Sequence, residues 1–303
     1  MEPKATIIIT TYNRAHLIID RSLYSALHQD FDDYEILVID HGSTDNTEEV
    51  VKSYKDKRLR YHKMPVNTGC VTEARNLGAK LAKGKYIVFL DDDNMLYPQY
   101  LSEVFQAMEK ERGYLEAIGT GRMIKYKDYE DYAPPYRLDE KFISLDWGWL
   151  LKKDVFKYIQ YDKEVFAYED IDFGLQFRKK RFCFGTINKP LQVAFDDGGS
   201  SHSYPTEKHL IAMEKFLDKH SETYRHYPKE LRFLYRSYGR RYYMAGHRLK
   251  GISYFWKAFW TLPNWHYFKH FIAILFGWTF YDYYMDFQEK RAARLRLKEN
   301  KIT

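Results

Sequence analysis

Three consecutive carboxylates, Asp91-Asp92-Asp93, close the apolar run Lys85-Tyr-Ile-Val-Phe-Leu. Three anions so close repel one another unless a cation neutralises them. Hard oxygen ligands of this kind suit Mg²⁺ or Mn²⁺, commonly shared with substrate phosphates. An acidic surface turn is the plainer reading of the same residues. A second acidic pair, Glu169-Asp170, stands before an amphipathic helix with Ile171, Leu175 and Phe177 on one side and Arg178 to Arg181 on the other. Carboxylates at a helix N-terminus complement its dipole, so this pair reads either as a cap or as acid–base machinery.

The elements around these residues are those of an α/β sheet. Val88, Phe89 and Leu90 have the pattern of a strand buried on both faces, which delivers the residues after it to the carboxyl edge where open α/β folds bind ligands. Ala5–Thr11 and Tyr34–Ile39 read as strands rich in β-branched residues, and a third strand lies near Leu59–His62. His16–Leu27, Asp45–Tyr54 (capped by Ser43 or Thr44) and Val71–Leu81 have helical patterns between them. Strand and helix alternate at βαβ spacing, which predicts a doubly wound, mostly parallel sheet. No G-x-G-x-x-G follows the first strand, so a dinucleotide oxidoreductase would lack its phosphate loop. Beyond Tyr97 a helix runs through Met108, Tyr114–Ile118 is a further strand, and Glu207–Lys219 is a helix.

With 303 residues, 45% of them hydrophobic, the chain can bury one large core and an appendage. Cys70 and Cys183 have neither metal nor redox spacing, so no disulfide framework or zinc site is suggested, and a reduced compartment fits. The first residues do not form a signal peptide. Residues 221–303 carry a net +10 and residues 1–220 a net −4, together the chain's +6. That C-terminal part is also rich in Tyr and Trp, with Phe255, Trp256, Phe259 and Trp260 at helical spacing. Phe271–Tyr281 is apolar but shorter than the roughly 20 residues that span a bilayer. Interfacial helices fit better, with Lys290-Arg-Ala-Ala-Arg-Leu-Arg-Leu-Lys298 drawn to anionic lipid. A helical cap with a solvated basic face is the alternative. Nucleic acid is not expected as a partner, because no recognisable module accompanies the charge.

Four N-terminal segments, Thr10-Thr-Tyr-Asn-Arg14, Val38-Ile-Asp-His-Gly-Ser-Thr-Asp45, Ala74-Arg-Asn-Leu-Gly78 and Phe89-Leu-Asp-Asp-Asp-Asn94, resemble in order and spacing those of family 2 glycosyltransferases of the GT-A fold. Ala167-Tyr-Glu-Asp-Ile-Asp-Phe-Gly-Leu-Gln176 resembles the same family's acceptor-side acidic motif. The resemblance covers about residues 5–205. It implies a nucleotide-sugar donor, most often UDP-linked. Asp40 would accept a hydrogen bond from the uracil ring, or else cap a helix; the family commonly has a second acidic residue where this chain has His41. Arg75 would reach the base or diphosphate, and Thr11, Asn13 and Arg14 would lie at the nucleotide. Asp91 and Asp93 match the D-x-D pair, with Asp93 as direct metal ligand and Asp92 outward or shared. His202, in Gly198-Gly-Ser-Ser-His-Ser203, is either a third metal ligand or an exposed loop histidine. Asp170 would be the general base and Glu169 would hydrogen-bond the acceptor. Trp147 and Trp149 either stack on sugar rings or lie in the core.

The expected enzyme is therefore an inverting, metal-dependent glycosyltransferase with Mn²⁺ or Mg²⁺ as cofactor. Residues 1–215 would form the catalytic domain (1–95 donor half, 96–215 acceptor half) and 216–303 a helical extension. It would act on a glycan or lipid-linked glycan, in the cytoplasm and peripherally on the inner face of the cell membrane. A sugar-nucleotide nucleotidyltransferase shares the layout but wants a Gly-rich basic loop after the first strand, where this chain has Thr10–Arg14. A non-catalytic glycan- or membrane-binding member of the fold is a further alternative, against which the intact Asp91, Asp93, Glu169 and Asp170 weigh.

Overall fold

The computed structural model describes residues 2–134, 144–145, 147–196, 206–263, 268 and 272. His202, the apolar stretch 273–281 and the basic segment 290–298 lie outside them. The chain forms two compact units, residues 1–202 and 203–303. A boundary at 215/216 would cut the helix Glu207–Arg225, which runs unbroken.

The first unit is built on a curled mixed sheet of nine described strands. β1 (Ala5–Thr11), β2 (Tyr34–Asp40), β3 (Leu59–Lys63) and β4 (Tyr86–Asp91) pair in parallel in the order β3-β2-β1-β4. Every residue of β1 and β2 is buried, as expected of central strands covered on both faces. The register sets Thr11 beside Asp40 and Thr10 beside Asp91, so the three strands end level. β5 (Met95–Leu96), β6 (Ala117–Tyr126), β7 (Glu130–Ala133), β8 (Leu150–Lys152) and β9 (Phe184–Asp196) complete the sheet. β8 enters antiparallel between β4 and β6, β9 runs parallel to β6, and β5 and β7 pair antiparallel at its margins.

The helices cover both faces. After β1 come α1 (Ala15–Ile18), a π-helical stretch (Ile19–Leu23) and α2 (Tyr24–Leu27), followed later by α3 (Thr47–Ser53), α4 (Val71–Leu81), α5 (Tyr100–Lys110) and α6 (Glu169–Lys179). Two apolar clusters result, one holding Ile7, Ile9, Val38, Val88, Tyr100 and Val104, the other Ile8, Leu37, Phe89, Trp149, Phe173 and Phe177. α4 approaches β1 so closely that a Cβ on Gly78 would lie 2.6 Å from the Ile8 side chain. The α3 start departs from expectation. Neither Ser43 nor Thr44 caps it; Asp45 accepts from the Thr47 N–H at 3.1 Å.

The second unit contains α7 (Glu207–Arg225), α8 (Pro228–Met244) and α9 (Arg248–Thr261). Tyr238 and Phe216 are fully buried, and α8 and α9 cross where Gly239 meets Gly251. A Cβ on Gly251 would stand 2.9 Å from the Gly239 carbonyl oxygen, so a side chain there would separate the helices. Among the described residues no helix is long and apolar enough to cross a membrane.

Candidate functional site

The level carboxyl ends of β1, β2 and β4 open into a cavity of about 330 Å³. Thr10, Thr11, Tyr12 and Arg14 supply one wall, Val71, Ala74 and Arg75 of α4 another, and Asp91, Asp92, Asp93, His41 and Glu169 the rest. Residues 11, 14, 75, 91, 92, 93 and 169, expected at the site from sequence, are thus brought together.

Charge organises the cavity. Arg14 Nη1 donates to Asp92 Oδ1 and Asp93 Oδ2, both at 2.9 Å. Arg75 is almost fully buried; its Nη2 donates to Asp91 Oδ1 at 3.0 Å and its Nη1 reaches Glu169 Oε1 at 3.5 Å. Its Nε is buried with no hydrogen-bond partner among the described residues. Two guanidinium groups therefore face four carboxylates, and negative charge remains in excess. Burial pushes the Glu169 carboxyl up to about 7, against the lowering pull of Arg75 and with added repulsion from Asp170. Asp92 is pushed up to about 6, again by burial first. Asp93 is raised by burial and then by Asp91.

Asp40 and Asn13 do not line the cavity. Asp40 is fully buried behind the wall: its Oδ1 accepts from the Ser43 N–H at 2.7 Å and its Oδ2 from the Tyr61 hydroxyl. It holds the β2 loop through the Ser43 N–H. Asn13, at φ 52°, accepts from the Thr44 N–H at 2.7 Å and ties the turn after β1 to that loop. Asp92 points inward, 7% exposed at its side chain, where an outward position was one expectation. His41 lines the cavity, its Nε2 accepting from the Thr68 N–H at 3.3 Å; burial lowers its pKa.

Trp147 and Trp149 are 6% and 2% exposed, and of the two readings the structure supports the core. Trp149 packs edge-on to Phe184 and fills the space over Gly119, while the Arg122 guanidinium lies 4.8 Å from a Trp147 ring. Neither ring is available to stack on a sugar.

Asp170 does not line the cavity. Its Oδ2 accepts from the Ser144 hydroxyl, and its main-chain carbonyl from the Leu145 N–H at 3.2 Å. Tyr61 and Ser144 were missed in the sequence, since each meets its aspartate only through folding. Among the described residues no three His, Cys, Asp or Glu side chains form a ready cage for a metal ion. Asp91 and Asp93 are the carboxylates that could hold one jointly with a ligand's oxygens.

A cavity at the strand ends of this curled sheet, lined by Asp91, Asp92, Asp93 and Glu169, has the layout of the GT-A fold. The structure superposes with TM-score 0.61 on S. aureus TarS 1–349 in complex with UDP-GlcNAc, at 18% identity over 86% of this chain and 82% of that one. It matches the mannosyltransferase PcManGT from Pyrobaculum calidifontis, in complex with GDP-Man and Mn²⁺, with TM-score 0.55 at 14% identity over 88% and 78%. The family model of glycosyl transferase family 2 matches residues 6–168, and the chain belongs to that family. It is 25% identical over 253 residues to the uncharacterized glycosyltransferase EpsJ of Bacillus subtilis (strain 168), covering 75% of this chain and 71% of that protein. It is 41% identical over 108 residues to a validoxylamine A glucosyltransferase of Streptomyces hygroscopicus subsp. jinggangensis (strain 5008), covering 35% of this chain and 25% of that protein.

Proposed function

We propose that the protein transfers a sugar from a nucleotide-sugar, most readily a UDP-sugar, to a hydroxyl of a glycan or lipid-linked glycan, with inversion at the anomeric carbon. The observation that carries this reading is the surplus of carboxylate in the cavity, Asp91, Asp92 and Asp93 at the end of β4 and Glu169 at the start of α6, against Arg14 and Arg75. A diphosphate alone would be repelled there; a diphosphate carrying a divalent cation would be drawn in. The donor set fits such an ion, since Mg²⁺ and Mn²⁺ are commonly held through one or two carboxylates together with substrate phosphates. When bound, the cation offsets charge that develops on the leaving nucleoside diphosphate. Neighbours of the same fold solved with UDP-GlcNAc, and with GDP-Man and Mn²⁺, support the donor class.

In this reading Asp91 and Asp93 hold the ion, and Arg75 and Arg14 fix the carboxylates. The acceptor oxygen attacks the anomeric carbon as the carbon–oxygen bond to the diphosphate breaks, the bonding pair leaving with the diphosphate. Asp170 takes the acceptor proton. Glu169 is held by Arg75 and orients the acceptor side, whereas Asp170 keeps Oδ1 without a hydrogen bond among the described residues. Positioning and charge stabilisation supply most of the acceleration.

The helical unit supports a place on an anionic membrane surface. Leu249, Trp256 and Trp260 are exposed, and residues 221–303 carry the chain's positive excess. Co-sedimentation with vesicles containing phosphatidylglycerol, absent with neutral vesicles, tests that part. The transferase reading is tested by turnover of UDP-GlcNAc, UDP-glucose and GDP-mannose with Mn²⁺, Mg²⁺ or chelator. The expected result is metal-dependent turnover of one donor, lost in Asp170→Asn. No turnover of any donor under any metal would overturn it.

A further inference from the structure

Asp170 needs a fixed orientation to act on a hydroxyl that only briefly occupies the site, and it sits at the second residue of α6. What restrains it comes from a distant segment. Ser144 is 1% exposed, and its hydroxyl donates to Asp170 Oδ2. The next residue, Leu145, is fully buried and donates its N–H to the Asp170 carbonyl at 3.2 Å. The segment is therefore clipped to both the side chain and the backbone of the same residue.

The clip is anchored in turn. The Tyr161 hydroxyl reaches the Leu145 carbonyl at 3.5 Å, and the Tyr161 ring stacks on Phe173 of α6 with centroids 4.4 Å apart. Asn76 of α4 exchanges two hydrogen bonds with the Tyr161 backbone, at 2.8 and 3.0 Å. The Arg75 guanidinium lies 5.4 Å from the same ring. The residues that hold Asp170 and those that carry Arg75 are thus linked through Tyr161 and Asn76.

We propose that Ser144 is a positioning residue for the transfer reaction: its hydroxyl holds Asp170 Oδ2 and leaves Oδ1 as the oxygen that receives the acceptor proton. The inference rests on the reading of Asp170 as base. A hydroxyl suits this task. It donates one bond to an acceptor-only carboxylate, fixes the rotamer, and adds no charge that would compete for the proton. Geometry of this kind matters, since displacing a reacting group by about 1 Å can cost about 100-fold in rate.

The experiment compares Ser144→Ala, Ser144→Thr and Asp170→Asn in the full chain with Mn²⁺. The probe is whichever of UDP-GlcNAc, UDP-glucose and GDP-mannose the wild type turns over fastest, and UDP affinity is measured alongside. In Ser144→Ala, kcat should fall about 10- to 100-fold while the donor KM and the UDP affinity stay within about twofold. Ser144→Thr, which keeps the hydroxyl, should recover kcat to within about threefold of wild type. Wild-type kcat in Ser144→Ala with Asp170→Asn inactive would overturn the inference and leave the base reading intact. Loss of kcat, KM and UDP affinity together, unrescued by Thr, would overturn it as well, since the serine would then be merely structural. Full activity in Asp170→Asn, or no turnover of any donor by the wild type, would remove the base reading and the inference with it.

Discussion

The two units each hold a partly buried carboxylate among aromatic and basic side chains, and they treat it in opposite ways. In the helical unit Glu214 Oε1 accepts from Tyr242 and Tyr254, both at 2.7 Å, and pairs with Lys250 at 3.0 Å. Burial works to raise this carboxyl, but those hydrogen bonds outweigh it and hold it below its usual range. The donor-side cluster runs the other way: Glu169 and Asp92 are pushed up to about 7 and about 6, with two arginines among four carboxylates. The first arrangement is complete in itself and stabilises the fold. The second is left short of positive charge, as expected of a site prepared for a ligand that brings it.

The sharpest way to break this contrast is Arg75→Ala. It strands the partly buried Asp91 and Glu169 without their shared cation, and the ligand-free protein should lose about 3–5 kcal/mol in urea denaturation. A loss under about 1 kcal/mol would mean that the arginine is not what holds these carboxylates. Glu214→Ala should cost less, about 1–3 kcal/mol, because two tyrosine hydroxyls lose their acceptor, and it should leave nucleotide affinity unchanged.

The pH dependence should differ in sign between the units. Glu169 binds a proton in the folded protein up to about pH 7, whereas unfolded it releases it near 4.5. Its contribution therefore weakens stability as pH rises from about 4.5 to 7. Glu214, depressed in the fold, contributes stability above its unfolded value that is lost as pH falls through the folded one. Hydrogen exchange of ligand-free protein at pH 5 and 7.5, corrected for intrinsic rates, should show α6 better protected at pH 5 and no such gain in α7. The smallest effect is expected from Asp93→Asn. Removing one surplus charge should leave the ligand-free protein within about 1 kcal/mol of wild type, on the stabilising side, in the same urea assay.

Much of the donor wall was legible because its residues sit at strand and helix ends that pattern alone locates. The β-branched run of β1, the apolar run of β4 and the 3.6 period of α4 place Thr11, Asp91 and Arg75 at one sheet edge without any contact being known. The features that were not legible depend on pairing across the chain. Tyr61 sits beside Val38 in the β2–β3 register, and from there its hydroxyl reaches Asp40. β9 escaped notice because Lys189-Pro190 interrupts it and its register with β6 shifts around Gly121, so no alternation of period two marks it. The aromatic pair Trp147 and Trp149 was readable as aromatic but not as buried. Only the close packing over Gly119 decides that.

Under the proposed function, the carboxylates Asp91 and Asp93 take up a cation carried with a nucleoside diphosphate. The most direct measurement is the affinity of UDP, by titration calorimetry, with Mn²⁺ and with chelator, for wild type and Asp93→Ala. The account predicts that Mn²⁺ tightens UDP binding at least about tenfold in the wild type and that Asp93→Ala loses this gain while remaining folded. Equal UDP affinity with and without Mn²⁺ in both proteins would contradict it.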